Sequence, residues 1–244
     1  MSKKILFDLE NTLVGSYRNH EGKLVLEARP GVLNLIEKLR DLRKQKDVEY
    51  ILFSNLSKSW TELKLEVLQA ENFFEDVVYR ETILPVEAGS IEDKVFGAGS
   101  EFYGLKPFSV IEGDLLLVED NPFAVKAGEL IRSEYKAQQP SRKIEVCKVS
   151  FYEAVDPRRY EIIEELENQE EKTEFNEKRL LHMKENLDKI GVDNEKEMER
   201  VYDSIVEFTF GIGHTNVHEH QGQENHMELN DFELQVQKLI DIYF

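Results

Sequence analysis

The chain has 244 residues, 41% of them hydrophobic, and sets 31 Lys and Arg against 49 Asp and Glu for a net charge of -18. That length suits one α/β domain with an appendage, and the hydrophobic share suffices for a packed core. So acidic a chain repels nucleic-acid phosphates and anionic lipid, and neither a nucleic acid nor a membrane is an expected partner.

The charge is unevenly spread. Residues 1–150 hold 21 basic and 25 acidic side chains, a net of -4, whereas residues 151–244 hold 10 and 24, a net of -14. The single cysteine, Cys147, excludes an internal disulfide and agrees with a reducing compartment. There is no long uninterrupted apolar run, and the first residues read as a strand after two lysines rather than as a signal peptide, so a cytoplasmic location is expected.

Taken in chain order, an apolar strand over residues 4–8 ends in acidic and hydroxyl residues, Asp8-Leu9-Glu10-Asn11-Thr12. Val14 to Glu27, with Gly15, Gly22 and the alternating Lys23-Leu24-Val25-Leu26, predicts a short flap or hairpin beside that end. Pro30 opens a helix with a stripe at Val32, Leu35, Ile36 and Leu39. A second strand over 50–54 ends in Ser54-Asn55, and a helix over Glu62 to Ala70, capped by Ser59 or Thr61, turns Leu63, Val67 and Leu68 to the core. A strand over 76–80 and a helix from Lys94 to Leu105 follow. The strand over 115–119 runs into Glu119-Asp120-Asn121-Pro122, which by itself also reads as a turn, and a last strand covers 144–149 with Cys147 as an ordinary member.

The alternation predicts an α/β protein with a doubly wound, mostly parallel sheet over residues 1–155. Asp156-Pro157 marks a boundary, beyond which residues 156–244 read as an acidic, all-helical extension. Leu180, Met183, Leu187 and Ile190 form one stripe, and Met198, Val201, Ile205 and Phe208 a second; the two helices are expected to be antiparallel and joined at Gly191. A third helix is expected after Asn230. Their stripes need cover, from the core as a lid or from a second copy of the chain as a homodimer. His214, His218, His220 and His226 offer nitrogen ligands adequate for zinc or nickel, although Gly211, Gly213 and Gly222 around them suit a polar loop better.

Asp8, Ser54, Lys94 and Asp120, in that order and with those strand contexts, resemble the haloacid dehalogenase (HAD) superfamily of aspartate-nucleophile phosphotransferases. Its first motif, Asp-x-Asp-x-Thr-Leu/Val after an apolar strand, is met except that Glu10 stands at the second Asp. The resemblance implies a three-layer Rossmann-like fold of the capless type, since the chain from Asp8 to Ser54 and on to Lys94 is too short for a large inserted cap. It implies a phosphoric monoester hydrolase acting on a phosphorylated small molecule or peptide, with Asp8 as nucleophile and Glu10 as general acid and base. Mg2+ is the implied cofactor, held by Asp8, Asp120, Glu119 and the backbone carbonyl of Glu10. Ser54, with the backbone amides of Leu9 and Asn55, would bind the phosphoryl oxygens, Thr12 would brace the loop, and Lys94, or alternatively Lys106, would neutralise charge. Two other readings stay open: a binding or scaffold protein whose turnover has decayed at Glu10, and a phosphotransferase with an acceptor other than water.

Overall fold

A computed structural model describes residues 2–70, 72–82, 86–96, 108, 111–168, 173, 176–181, 183–184 and 193–211. Its centre is a five-stranded sheet in which β1 (Lys3–Phe7) lies between β4 (Val48–Phe53) and β6 (Asp114–Glu119), with β5 (Asp76–Val78) and β7 (Ile144–Lys148) at the edges. Every pairing is parallel, in the order β5-β4-β1-β6-β7. Such strands are covered on both faces, which is why they read as continuous apolar runs in the sequence.

Side chains alternate across the sheet and feed two cores. Ile5, Phe7, Tyr50, Leu52, Leu116 and Val118 point to one face; Leu6, Ile51, Phe53, Leu115 and Leu117 point to the other. The first face is covered by α1 (Val32–Gln45), through Val32, Leu35, Ile36, Leu39 and Leu42. The second is covered by α4 (Pro122–Gln138), through Ile131 and Tyr135, with Ile91, Phe108 and Ile111 beside it. β2 (Val14–Arg18) and β3 (Leu24–Ala28) form an antiparallel hairpin, as the alternation after Gly22 predicted.

Two helices depart from the sequence reading. α2 spans Lys58–Val67, starting four residues before the expected Glu62, and its buried residues are Thr61 and Lys64 while Leu63 is 43% exposed. The helix is rotated relative to its apolar stripe, and the Lys64 side chain, which bonds Glu10, faces inward instead. The four-residue α3 covers Asp93–Phe96 and α5 covers Arg158–Glu167.

The second departure is α6 (Asn194–Phe210), which the boundary near residue 155 placed in a separate extension. Its stripe of Met198, Val201, Ile205 and Phe208 is buried in the same core as α1 and the first face of the sheet. Each such side chain contributes about 1.5–3 kcal/mol by leaving water, so this helix is a layer of the domain and its stripe is not left over for a second copy. Lys3, at the start of β1, donates from Nζ to the carbonyls of Phe208 and Thr209 at 2.7 and 2.8 Å, which caps the C-terminus of α6 with a cation. The helix therefore runs antiparallel to β1, with its N-terminus on the side where the strands end. Gly31 precedes α1 with φ 86°, and a Cβ there would meet Glu195 Cα at 3.1 Å, so α6 and the start of α1 approach each other at a glycine.

Residues 176–181 and 183–184 are helical. Gly191, the helix after Asn230, the histidine cluster and Lys106 lie outside the described residues. Among the described residues no helix is long and apolar enough to cross a membrane.

Candidate active site

The chain builds β1, β4 and β5 outward to one side and then crosses back to lay β6 on the other side of β1. The C-terminal ends of β1 and β6 thus flank the point where the winding reverses, where open parallel sheets present a crevice. Asp8 follows β1, Glu119 ends β6, and Asp120 comes next. Their carboxylates offer oxygens that all lie within 4.8 Å of one another, and the residues are 7%, 1% and 7% exposed.

Local bonds aim these groups. The Asp8 backbone N–H donates to Val118 O at 3.0 Å, which extends the β1–β6 ladder into the loop. That loop folds back on itself: Leu13 and Val14 N–H both donate to Leu9 O at 3.0 Å, with Asn11 at φ 60°. Buried Leu9, Leu13 and Val14 anchor it to the core. Asn is among the residues that accept the left-handed conformation needed at such a turn. Thr12, wholly buried at the loop's apex, donates its hydroxyl to Asp120 Oδ1 at 2.6 Å. Glu119 accepts from the Asn121 N–H at 3.0 Å, and Asn121 Oδ1 in turn caps α4 at the Phe123 N–H, with Pro122 at the first helical position. The Asn121-Pro122 pair is thus a helix start, not a bare turn.

Ser54 follows β4 and is 1% exposed, with its N–H on Val78 O at 2.9 Å and its hydroxyl oxygen accepting from the Leu56 N–H at 3.1 Å. Next to it the Asn55 side-chain oxygen is buried with no hydrogen-bond partner, while its carbonyl accepts from Arg80 Nε at 2.7 Å. Glu10, two residues after Asp8 in the loop, is 43% exposed at its side chain, with Oε1 2.7 Å from Lys64 Nζ.

Lys94 is elsewhere. Its Nζ is 3.4 Å from Glu134, and its side chain is 56% exposed. Glu134 sits on α4 roughly 18 Å beyond the helix start beside Asp120, at ~1.5 Å per residue, so Lys94 faces the flank of α4 and not the carboxylates. Spacing and helix context suggested it over Lys106, and its ion pair among the described residues is with Glu134.

Two cations that the sequence reading passed over stand closer to the loop. One is Lys64, whose place three residues after Thr61 and four before buried Leu68 marks the inward face of α2. The other is Arg29, 1% exposed, whose guanidinium donates to Ser150 O at 2.8 Å, Ser150 Oγ at 2.6 Å, Asn194 Oδ1 at 2.8 Å and, at 3.4 Å, Thr12 O. Burial draws the Arg29 pKa down, opposed by the charges of Glu197 and Asp120. A guanidinium stays charged through such a shift and fixes the backbone of the Thr12 loop from beneath.

Three carboxylates this close repel one another by roughly 3–4 kcal/mol per pair at an effective dielectric of about 20. A hard divalent cation converts that repulsion into ligation, and an all-oxygen donor set of this kind fits Mg2+. The donors present therefore suit the ion that the family resemblance implies.

No family model matches the chain, and no curated protein matches it. Solved structures do. A candidate beta-phosphoglucomutase from Thermotoga maritima matches at 13% identity over 61% of this chain and 94% of its own, with a TM-score of 0.33. The HAD domain of the effector protein Lem4 from Legionella pneumophila matches at 12% identity over 60% and 85%, with a TM-score of 0.33. A candidate 3-deoxy-D-manno-octulosonate 8-phosphate phosphatase from Vibrio cholerae matches at 9% over 60% and 74%, with a TM-score of 0.32. Likenesses at that level carry no argument about activity. The chain is an α/β protein with an acidic site at the switch point of a parallel sheet. In the order and strand-end placement of Asp8, Ser54 and Asp120 it resembles the haloacid dehalogenase superfamily.

Proposed function

We propose that the protein is a Mg2+-dependent phosphatase that hydrolyses a phosphomonoester through an aspartyl-phosphate on Asp8. The observation that carries this reading is the convergence of the Asp8, Glu119 and Asp120 carboxylates at the ends of β1 and β6, with Thr12 bonded to Asp120. Asp8, Asp120, Glu119 and the carbonyl of Glu10 are the groups that would hold the cation. Bound there, Mg2+ supplies charge that relieves the build-up on the phosphoryl oxygens.

The chain's own residues then divide the work. An Asp8 carboxylate oxygen attacks phosphorus, the ester oxygen departs, and the Glu10 carboxyl gives it a proton. Water next attacks the phosphorus of the mixed anhydride, Glu10 takes its proton, and Asp8 leaves as a carboxylate, which restores the starting state and releases phosphate. The hydroxyl of Ser54, which follows β4, and the backbone N–H groups of Leu9 and Asn55 would donate to the phosphoryl oxygens. Substrates are phosphorylated small molecules or peptides.

The test is hydrolysis of an aryl phosphate with and without Mg2+ by the native chain, Asp8→Asn and Glu10→Asp. The reading expects Mg2+-dependent turnover that falls by at least about 10³-fold in Asp8→Asn. A native chain without turnover that gains activity as Glu10→Asp would instead favour the decayed scaffold.

A further inference from the structure

We infer that Lys64 is a positioning residue that holds Glu10 in place for the leaving group, an inference that rests on the reading of Glu10 under Proposed function. α2 turns Thr61 and Lys64 inward while Trp60, 45% exposed, and Leu63, 43% exposed, face water. Leu65 and Leu68 pack into the core beside them, yet a lysine is seldom buried in such a face without a partner. The Lys64 side chain is 3% exposed, and its one ion pair among the described residues is with Glu10 Oε1 at 2.7 Å.

As a stability device that pair is poor. The ammonium is stripped of water while the carboxylate, 43% exposed, keeps much of its own, so an unbranched apolar side chain of the same length would serve the fold as well or better. What the pair does supply is orientation. Glu10 carries one methylene more than the Asp of the motif it resembles, hence one more rotatable bond, and an unguided carboxyl there would be out of place for proton transfer by about 1 Å. Lys64, locked in the packed face of α2, removes that freedom from outside the loop. The longer acid and the inward lysine form one arrangement.

The experiment compares kcat and KM of the native chain, Lys64→Met, Lys64→Arg, Glu10→Gln and the Lys64→Met/Glu10→Gln double variant. Two substrates are used, p-nitrophenyl phosphate, whose leaving group needs little protonation, and a simple alkyl phosphate, whose leaving group needs it. Lys64→Met is expected to stay folded, to lose about ten- to a hundredfold in kcat/KM on the alkyl ester, and to keep kcat/KM on the aryl ester within about threefold, while kcat, which includes the water attack that Glu10 also serves, falls on both. Lys64→Arg should recover most of the loss, and Lys64→Met should add nothing in the Glu10→Gln background. Equal losses in kcat/KM on both esters, full additivity with Glu10→Gln, or a Lys64→Met chain that cannot fold would overturn the inference. A crystal structure of Lys64→Met reads it without turnover: the Glu10 carboxyl should leave its present place, and an unmoved Glu10 contradicts the idea. Absence of Mg2+-dependent turnover in the native chain, by contrast, counts against the phosphatase reading itself.

Discussion

At the scale of single residues, the site is a problem of like charges made tolerable by donors. The Thr12 hydroxyl at 2.6 Å from Asp120 and the Asn121 N–H at 3.0 Å from Glu119 each hold one carboxylate oxygen, and so fix where the remaining oxygens point. Thr12→Val keeps the shape and deletes the donor, leaving a buried charged acceptor short of a bond at a cost of about 1–3 kcal/mol. Outer bonds of this kind tune ligand orientation, and their loss typically costs 10–100-fold in metal affinity. Calorimetric titration should therefore show Mg2+ binding weakened by roughly tenfold or more in Thr12→Val, together with a lower melting temperature; unchanged affinity would detach Thr12 from the metal site. The strand-end placement of Asp8, Ser54 and Asp120 was legible in the sequence because each directly follows an apolar strand, and parallel strands end on one edge. Lys64 was not, because its partner Glu10 lies 54 positions earlier in the chain.

At the scale of elements, α6 ties the domain's outer layer to the site. Glu197 accepts from the Ser150 N–H at 2.9 Å and from Arg200 Nε at 3.0 Å, and Arg200 also reaches Lys148 O. Ser150 in turn accepts from Arg29, which reaches under Thr12. Burial by itself pushes the Glu197 carboxyl up, but the bonds from Arg200 and Ser150 and the charges of Arg200 and Arg29 outweigh it and hold the group below its ordinary 4.5. A carboxyl depressed in the folded state contributes stability that is present above the unfolded value and is lost as pH falls through the folded one. Glu197→Gln should therefore be less stable than the native chain at neutral pH and converge on it in acid. Urea unfolding from about pH 7 down to about pH 3 follows that window; a constant stability gap across it would place the effect elsewhere. The sequence showed the Met198, Val201, Ile205 and Phe208 stripe but not its partner. An amphipathic pattern states that a face is buried, not against what, and here the cover is the core that α1 also lines, on the near side of the expected boundary at Asp156-Pro157.

At the scale of the whole molecule, the order β5-β4-β1-β6-β7 accounts for the site. Two segments over a hundred residues apart, Asp8 and Glu119-Asp120, become neighbours because β6 is laid beside β1 after the chain has crossed back, and the helices on both faces leave that edge as the place where polar groups gather. The strand pattern made this sheet readable: five apolar runs in the sequence are its five strands. The facing of helices, which turns Lys64 inward and leaves Lys94 beside Glu134, depends on contacts between distant segments and was not. A net charge of -18 concentrated after residue 150 leaves a phosphorylated substrate to be drawn in by local groups, not by the field of the whole chain. The most direct measurement of the central claim is a crystal structure of the chain soaked with Mg2+ and beryllofluoride, a phosphoryl mimic that bonds to carboxylates. The account predicts the mimic on an Asp8 carboxylate oxygen with one cation shared by Asp8 and Asp120; a cation bound away from these residues, or a mimic that leaves Asp8 bare under saturating conditions, would contradict it.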